Sequence, residues 1–338
     1  LSDKNLLLYR PSLSTFTPIN FEFSGQPVGA FTGSFWKICT SGRQLYFLMS
    51  GNLPFVQMRK PSAGWKDVKL LLPSGFSNNM SQHTGIAEKI LVGDWQRKVV
   101  LLYDLKTKLY VYLKDPVGNT KLGTFQYFYK VDDQHGLIVV SDRIYEIDFG
   151  STLVKPLEVA SYPHVLQPEF RNVIKDHNGN LFIRERNTGI WLINKNAGRI
   201  EPYYSPNIKG NFSDLFYEAA TQKFWLSQDR KCVFVIESKS LKRKQYLMQL
   251  EERGGPSTIN SITGDGKGKI IFALLDHGIV AINAASMQLK RYTQGQGLPT
   301  DNVNFGHFDN AGNYWGTSQR GLFCLSARKK IRNFEKNR

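Results

Sequence analysis

The sequence predicts an all-β protein that repeats one four-stranded unit seven times. Three observations support this fold class. An Asp-x-x-Gly turn recurs at a spacing of about 44 residues, a short apolar or aromatic strand follows each turn, and another strand begins about ten residues after the turn. A fixed period of this length indicates a repeat architecture, whereas an antiparallel sandwich would explain the strands but not the period.

The turns mark the units most clearly, and Asp309 and Asp265 lie 44 residues apart. Within such a turn Asp accepts hydrogen bonds from backbone N–H groups, and Gly adopts the positive φ that closes it. The copies are DNAG (309–312), DGKG (265–268), DHNG (176–179), DQHG (133–136) and the degraded CTSG (39–42). Two more units, EAATQKFWL from Glu218 and GIAEKILVG from Gly85, lack the glycine but keep the strand that follows.

Each unit contains two strongly predicted strands. The strands after the turns are NYWGT, KIIFA, KFWLS, NLFIR, LIVVS, KILVG and QLYFL, and the next ones include GLFCLS (321–326), GIVAIN (278–283) and GIWLIN (189–194). They are rich in β-branched and aromatic residues and too short for helices. One strand before each turn and a weaker outer strand, such as RIEPYY, complete the unit of four.

Seven such units predict a seven-bladed β-propeller of four-stranded antiparallel blades. The blades lie near 34–75, 78–118, 122–160, 165–205, 210–250, 256–293 and 301–326. We expect an N-terminal strand within 5–20 to close the last blade, with residues 14–19 pairing directly with GLFCLS, because closure removes an exposed edge. The basic tail at 327–338 would be a linker or a competing outer strand.

Composition indicates a folded chain. The 338 residues are 41% hydrophobic, 13% aromatic and 21% charged, which excludes wholesale disorder. Cys39, Cys232 and Cys324 form no CxxC pair, so they predict neither a zinc knuckle nor a disulfide framework, and we expect them to be small buried side chains. The chain opens on Leu1 without a signal peptide and has no apolar run long enough for a spanning helix, so we expect a piece of a longer or processed protein.

No catalytic or cofactor-binding constellation is predicted. The six histidines lack metal-ligand spacing and no GxSxG motif occurs. GDGKGK (264–269) is followed by a strand rather than the helix of a phosphate loop, and DHNGN (176–180) lacks the later ligands of a calcium loop. Adjacent Asp132 and Asp133 point in opposite directions on a strand end. We therefore expect no cofactor, no metal and no enzyme activity in this region.

The aromatic side chains of the strands predict packing rather than recognition. Trp315, Trp225 and Phe182 occupy the same place in three units, and Trp191 lies in the next strand of another. Large side chains fill the wedge-shaped gaps between blades, so we assign these four to the core. Trp95 differs, because the polar stretch GDWQRK places it in a loop.

A net charge of +16 favours an anionic partner. In a propeller, the loop from the second to the third strand shares a face with the connection between blades. The candidate ligand-binding residues of these loops are Trp95, Arg97, Arg143, Arg184, Arg186, Arg230, His277 and Arg320. The denser basic clusters fall on outer strands, such as 242–244, where lysine also discourages edge-to-edge pairing, so both explanations of the charge stay open.

Residues 297–326, GLPTDNVNFGHFDNAGNYWGTSQRGLFCLS, resemble the repeat of two-component regulator propellers. The pattern G-L-x-x-(D/N)-x-V followed by D-x-x-G-x-x-W-x-x-T-x-x-G-L is filled by Gly297, Leu298, Asp301 or Asn302, Val303, Asp309, Gly312, Trp315, Gly321 and Leu322, with Thr317 one position before the Thr of the pattern. The units at 165–205 and 256–292 match in part, and those before residue 120 match only in period.

The resemblance implies a periplasmic sensor domain of a Bacteroidetes hybrid two-component histidine kinase. Such propellers often occur in tandem, precede an immunoglobulin-like domain and sense polysaccharide breakdown products. The resemblance implies an oligosaccharide ligand. The basic loops favour an acidic oligosaccharide over a neutral one. The expected partners are a second propeller and an immunoglobulin-like domain of the same protein, with a homodimer as a further option and no nucleic acid.

Two alternatives remain. The first is a propeller lyase or hydrolase similar to the streptogramin lyases, which would need histidines and a carboxylate converging at one mouth. The second is a scaffold that dimerises or spaces its neighbours without binding a ligand, in which case no glycan would raise its thermal stability.

Overall fold

A computed structural model describes the backbone in most of the chain and side chains in a smaller part. Backbone is described for residues 6–10, 15–19, 35–41, 44–49, 55–60, 64–76, 78–83, 89–141, 143–159, 169–194, 197–204, 211–229, 232–239, 243–247, 258–298, 300–309, 311–318 and 321–325. Side chains are described for residues 70–76, 89–141, 143–159, 169–194, 197–204, 211–229, 232–239, 258–298, 300–309, 311–318 and 323–325.

The described strands form seven sheets, numbered here in chain order. The first two described strands, β1 (Leu6–Arg10) and β2 (Thr15–Ile19), belong to sheet seven. Sheet one contains β3 (Phe35–Ser41), β4 (Gln44–Met49), β5 (Phe55–Lys60) and β6 (Gly64–Lys69). Sheet two contains β7 (Asn78–His83), β8 (Lys89–Asp94), β9 (Val99–Asp104) and β10 (Tyr110–Tyr112). Sheet three contains β11 (Phe125–Lys130), β12 (His135–Val140), β13 (Ile144–Asp148) and β14 (Val154–Pro156).

The remaining sheets continue the pattern. Sheet four contains β15 (Glu158–Val159), β16 (Phe170–Lys175), β17 (Leu181–Glu185), β18 (Gly189–Asn194) and β19 (Arg199–Tyr204). Sheet five contains β20 (Phe212–Glu218), β21 (Lys223–Gln228), β22 (Cys232–Glu237) and β23 (Arg243–Leu247). Sheet six contains β24 (Thr258–Gly264), β25 (Lys269–Leu275), β26 (Ile279–Asn283) and β27 (Leu289–Tyr292). A short 3₁₀ helix (Gln294–Gln296) precedes β28 (Val303–Phe308), β29 (Tyr314–Ser318) and β30 (Gly321–Leu325) of sheet seven.

The all-β prediction is confirmed. In sheets one, two, three, five and six the four strands lie side by side in chain order and pair antiparallel. Within the described residues, no helix has the length and apolar character needed to cross a membrane.

Apolar cores lie between successive sheets. The second strands β8, β17 and β29 are buried along almost their whole length, because both of their faces are covered. Outer strands such as β10 and β27 are mostly exposed. Continuous buried clusters join sheet two to three, three to four, four to five, five to six and six to seven.

The predicted packing aromatics are buried. Trp191 belongs to the cluster between sheets three and four, Phe182 to that between four and five, and Trp225 to that between five and six. Trp315 is also buried, and its Nε1 donates to Asp309 Oδ2 at 2.9 Å. Cys232 and Cys324 are buried free thiols, as expected, and the side chain of Cys39 lies outside the described part.

We call the strand before the first hairpin of each sheet its first strand, which is β16 in sheet four and β28 in sheet seven. Each first strand lies against the first strands of the neighbouring sheets. The contacting pairs are β3 with β7, β7 with β11, β11 with β16, β16 with β20, β20 with β24, β24 with β28, and β28 with β3.

Every first strand in the described sheets also carries a β-bulge near its N-terminal end, which the sequence did not reveal. The residues without a register partner are Trp36, Asn79, Gln126, Asn172, Ser213, Asn260 and Asn304.

The Asp-x-x-Gly turns form as predicted in three units. In the turn at 309–312, Asp309 Oδ1 accepts from Ala311 N and Asn313 N, and Gly312 has a φ of 78°. The unit at 133–136 differs, because Asp132 rather than Asp133 accepts from the backbone, and Gly136 lies inside β12. A further turn of the same kind, at 115–118, lies between β10 and β11 rather than inside a hairpin.

The predicted direct pairing of residues 14–19 with GLFCLS is wrong. β1 lies between them: it pairs parallel with β30, and β2 pairs antiparallel with β1. The sequences explain this order. The apolar LLLYR segment suits an interior position, whereas Pro18 of β2 has no N–H to donate and is tolerated at an edge.

Two connections between sheets add pairing that the four-strand unit did not predict. After β14, the chain forms β15, which pairs parallel with the outer strand β19 of sheet four. After β10, Lys114 pairs in the same parallel sense with Leu153 beside β14. Each connection therefore covers part of the outer edge of the next sheet, which is one way to protect an edge.

Candidate functional site

The loops between second and third strands lie at the same end of the molecule as the connections between sheets. Arg97 Nη2 of the β8–β9 loop donates to Ser74 O of the β6–β7 connection at 3.0 Å, and Gly278 N of the β25–β26 loop donates to Asp301 O of the β27–β28 connection at 2.6 Å. Asn211 N donates to Asp229 Oδ1 at 2.8 Å. We call this the loop end, and the opposite end, with the Asp-x-x-Gly turns, the turn end.

The structure distributes the predicted ligand-binding residues among several sheets. Trp95 and Arg97 lie in the β8–β9 loop, with Trp95 53% exposed. Arg143 is exposed between β12 and β13, and His277 is half-buried between β25 and β26. Arg230 and Arg320 lie outside the described residues.

Arg184 and Arg186 are the two predicted residues that meet in one pocket. Its volume is about 160 Å³. The lining residues, which we call the arginine pocket, are Glu169, Arg171, Arg184, Arg186, Asn211, Phe212 and Ser213. The first four come from sheet four and its flanks, and the last three from the start of sheet five, so the pocket lies between two sheets at the loop end.

Strand register places two arginines directly opposite each other. Arg171 of β16 and Arg184 of β17 are cross-strand partners, immediately before the bulge at Asn172. Arg184 therefore lies in a strand, not in the loop where the sequence placed it. Asn172 adopts a φ of 54°, a left-handed conformation that Asn tolerates better than most residues.

Arg184 is a buried cation with incomplete hydrogen bonding. Its residue surface is 3% exposed. Its Nη1 donates to the carbonyl of Phe212, and its buried Nε has no hydrogen-bond partner among the described residues. Burial lowers the pKa of Arg184 to about 10, opposed by attraction to Asp214 and lowered further by repulsion from Arg171. The side chain remains protonated at neutral pH.

Arg186 is held by a carboxylate at the pocket rim. Its Nη1 donates to both carboxylate oxygens of Glu169, at 3.0 and 2.9 Å, and both side chains are about half exposed. Backbone bonds fix the same loop, since Arg186 N donates to Glu169 O and Phe212 N donates to Arg186 O. The carboxylate of the fully buried Glu185 accepts hydrogen bonds from Glu169 N, Asn187 N and Thr188 N. These bonds hold the β17–β18 loop against the start of β16.

Asp214 lies behind the pocket and links three first strands. Its carboxylate accepts from the Asn172 amide of β16, from Leu215 N of β20 and from Ile262 N of β24, the last at 2.6 Å. Burial raises its pKa to about 6, against the opposing effects of these hydrogen bonds and of Arg184. Tyr127 of β11 is near enough for Asp214 to contribute to the raised pKa of its phenol, after the larger effect of burial.

Sequence reasoning missed Arg171, Asn211 and Asp214. Arg171 lies inside a strand, and only the register shows that it faces Arg184. Among the residues with described side chains, no cluster of three His, Cys, Asp or Glu could hold a metal ion. His177 lies in a turn, and its Nδ1 is 2.5 Å from the Tyr217 hydroxyl of the next sheet. His135 begins β12, and its Nδ1 lies 3.0 Å from Asp132 Oδ1.

No protein-family model matches this sequence, and no curated protein matches it. Solved structures do. The extracellular domain of BT4673 of B. thetaiotaomicron, described as a hybrid two-component system, aligns at 12% identity and a TM-score of 0.64, over 88% of this chain and 38% of that one. The corresponding domain of BT3049 aligns at 12% identity and 0.61, over 86% and 39%. YCF48 bound to a D1 peptide aligns at 11% identity and 0.67, over 88% and 93%.

These similarities show the fold, which is all-β and propeller-like. The chain spans less than two fifths of the length of the BT4673 and BT3049 domains. The structures similar to this chain thus include extracellular domains of hybrid two-component systems, the family whose repeat residues 297–326 resemble.

Proposed function

We propose that this chain is a ligand-sensing propeller on the periplasmic side of the inner membrane of a Gram-negative bacterium. It would belong to a hybrid two-component sensor whose kinase lies elsewhere in the protein. Its ligand would be an acidic polysaccharide breakdown product, and the response would regulate carbohydrate-utilisation genes. A second propeller and an immunoglobulin-like domain would be its neighbours, with a homodimer as the signalling unit.

The proposal includes a closed ring of seven blades. It is supported by the cycle of contacts between first strands, which runs from β3 through β28 and back to β3. It is also supported by β1, which joins the N-terminal part of the chain to β30 near its other end. The blades would correspond to the seven sheets, with 301–326 completed by residues within 5–20.

The arginine pocket is the observation that carries the ligand assignment. Its lining contains three arginines and one glutamate, a net charge of +2, at the end where loops from successive sheets gather. Arginine offers a planar fork of donors that matches a carboxylate or sulfate group. The overall charge of +16 adds attraction for a polyanion over roughly a Debye length, about 8 Å at physiological salt.

Signalling requires that the ligand prefer one arrangement of the parent protein. The pocket lies between sheets four and five, so a ligand that contacts both sheets can favour one relative position. A ligand bound at this end could also reach a neighbouring domain. Both routes make ligand binding and domain arrangement depend on each other.

Calorimetry against a panel of neutral and acidic oligosaccharides tests the proposal. We expect at least one acidic member to bind, with an affinity that falls as salt rises from 50 to 300 mM because charge contributes. The neutral counterpart of that oligosaccharide serves as the control. Absence of binding by every acidic member would overturn the ligand class. A melting temperature unchanged by any glycan would favour a scaffold.

A further inference from the structure

We propose that Arg171, Arg184 and Asn211 form an oxyanion site that binds one carboxylate or sulfate ester group of a saccharide. This inference deepens the proposed function and rests on it for the word saccharide. The site itself rests on register, hydrogen bonding and size.

The strand register is the first argument. Arg171 and Arg184 face each other across β16 and β17, and like charges directly opposite one another destabilise a sheet. Sheets three and six place apolar pairs at this register, Phe125 with Val140 and Ile259 with Leu274. Sheets two, five and seven place at least one polar residue there, but none of the other described sheets pairs two like charges. Where a local rule of sheet pairing is broken in this way, a functional role is the expected reason.

Unused hydrogen-bond donors are the second argument. Arg171 is exposed and its guanidinium has no partner in the described structure, and the Nε of Arg184 is likewise unpartnered. Asn211 uses its backbone in bonds to Asp229, which leaves its side-chain amide available beside the arginines. An oxyanion with two or more acceptor oxygens can engage donors from both sheets at once.

The nearby carboxylates do not replace such a ligand, because each is engaged elsewhere. Glu169 is bound by Arg186, and Glu185 by backbone N–H groups and the hydroxyl of Thr188. Asp214 is satisfied by Asn172, Leu215 and Ile262. These carboxylates attract Arg184 through space, but among the described residues none accepts a hydrogen bond from it, and its Nε stays unpartnered.

The pocket size limits what enters. A volume of about 160 Å³ is below the 300–1,000 Å³ that is typical of pockets for whole small molecules. It corresponds to roughly five water volumes. One charged group of a saccharide fits, while the rest of the chain would extend over the loop end.

The experiment uses the whole 338-residue chain and three small probes at constant ionic strength: methyl glucuronoside, sodium sulfate and methyl glucoside. We expect the two anions to bind and to raise the melting temperature, and the neutral glucoside to do neither. Arg171→Gln and Asn211→Ala each remove an exposed or half-buried donor with little risk to folding. We expect about a tenfold loss of anion affinity for the first and a smaller loss for the second.

Lys267→Gln is the matched control. It removes the same charge from an exposed position in the turn at 265–268 of sheet six. This turn lies at the turn end, away from the arginine pocket, so anion affinity should stay unchanged. Arg184→Lys keeps the buried charge but loses the fork, so its affinity should also fall. Equal losses in Arg171→Gln and Lys267→Gln, or equal binding of the glucoside and the glucuronoside, would overturn the site.

The two proposals fail in different ways. If an acidic oligosaccharide binds but Arg171→Gln leaves its affinity unchanged, the oxyanion site is wrong and the sensor function stands. If sulfate and glucuronoside bind through Arg171 while no oligosaccharide binds, the site stands and the carbohydrate-sensing function is wrong.

Discussion

Sheets four and six have the same bulge in their first strands but differ in the pair of side chains directly before it. Immediately before the bulge, sheet six pairs Ile259 with Leu274, and both side chains are buried. Sheet four pairs Arg171 with Arg184 at this register. Both sheets carry a bulge directly after this pair, so at the same backbone position one sheet has two apolar side chains and the other has two charged ones.

The turn ends of these sheets confirm how local the difference is. Asp176 Oδ1 accepts from Asn178 N and Asn180 N in sheet four. Asp265 Oδ1 accepts from Lys267 N and Lys269 N in sheet six. The two ends of a sheet can therefore be altered separately.

The largest expected effect comes from giving sheet six the residue of sheet four. Leu274→Arg buries a cation in the cluster of apolar side chains between sheets five and six. We expect a loss of about 3–5 kcal/mol in the free energy of unfolding, measured with urea. Leu274→Met is the control and should cost under about 1.5 kcal/mol. A loss below about 1 kcal/mol for the arginine would mean that sheet four needs no special environment for its charges.

A second effect concerns Asp214, where sheet six has Ser261 at the matching position after the bulge. Burial raises the pKa of Asp214 from 3.8 to about 6, so the folded protein holds this proton more tightly than the unfolded chain. The resulting stabilisation is complete below about pH 4 and is lost as pH rises through about 6. Its size is about 3 kcal/mol.

Asp214→Asn isolates this contribution because Asn does not titrate. The difference between the unfolding free energies of wild type and variant should fall as pH rises from 4 to 7, in urea titrations at several pH values. A difference that stays constant over this range would contradict the assignment. Anion binding should also strengthen as pH falls through 6, because protonation of Asp214 leaves Arg184 less compensated.

At the turn ends we expect a smaller loss in the free energy of unfolding, and the same loss in sheet four as in sheet six. Gly179 and Gly268 have φ values of +87° and +100°, which disfavour any side chain, and neither has a close neighbour that a Cβ would strike. Gly179→Ala and Gly268→Ala should each cost about 1–2 kcal/mol by thermal unfolding. Costs that differ by more than about 1 kcal/mol would show that the sheets differ at both ends.

The smallest effect on stability is expected for Glu169→Gln at the pocket rim. The Arg186–Glu169 pair is about half exposed, so its loss should change the free energy of unfolding by less than about 1 kcal/mol. Affinity for sulfate should rise a few-fold, because the pocket gains positive charge. Lower affinity would indicate that Glu169 positions Arg186 for the ligand.

The period of the sequence predicted most of the fold because the hydrophobic pattern of the second and third strands is strong. It located the buried Trp225 and Phe182 and the turn at 309–312. It missed the bulges, because one extra residue is smaller than the uncertainty of a strand boundary. It also placed β2 beside β30, since sequence pattern alone does not state which strand of a hairpin lies inside.

The candidate site was only half predictable. Arg184 and Arg186 were identified from their charge and their place near a loop. Arg171 and Asp214 could not be, because their roles depend on register and on contacts between sheets that are about 40 residues apart in the chain. A pair of arginines in adjacent strands is informative only once the bulge has set which residues face each other.

The bulges have a consequence for how such a chain can change over time. A bulge absorbs one residue without reversing the alternation of the residues beyond it, so its side chain can vary while the core keeps its register. Asn172 and Asn260 already reach the next first strand from bulge positions, at Asp214 and at Val303 O. New recognition chemistry can therefore evolve one sheet at a time at a single end of the molecule, while the apolar layers between sheets are inherited unchanged.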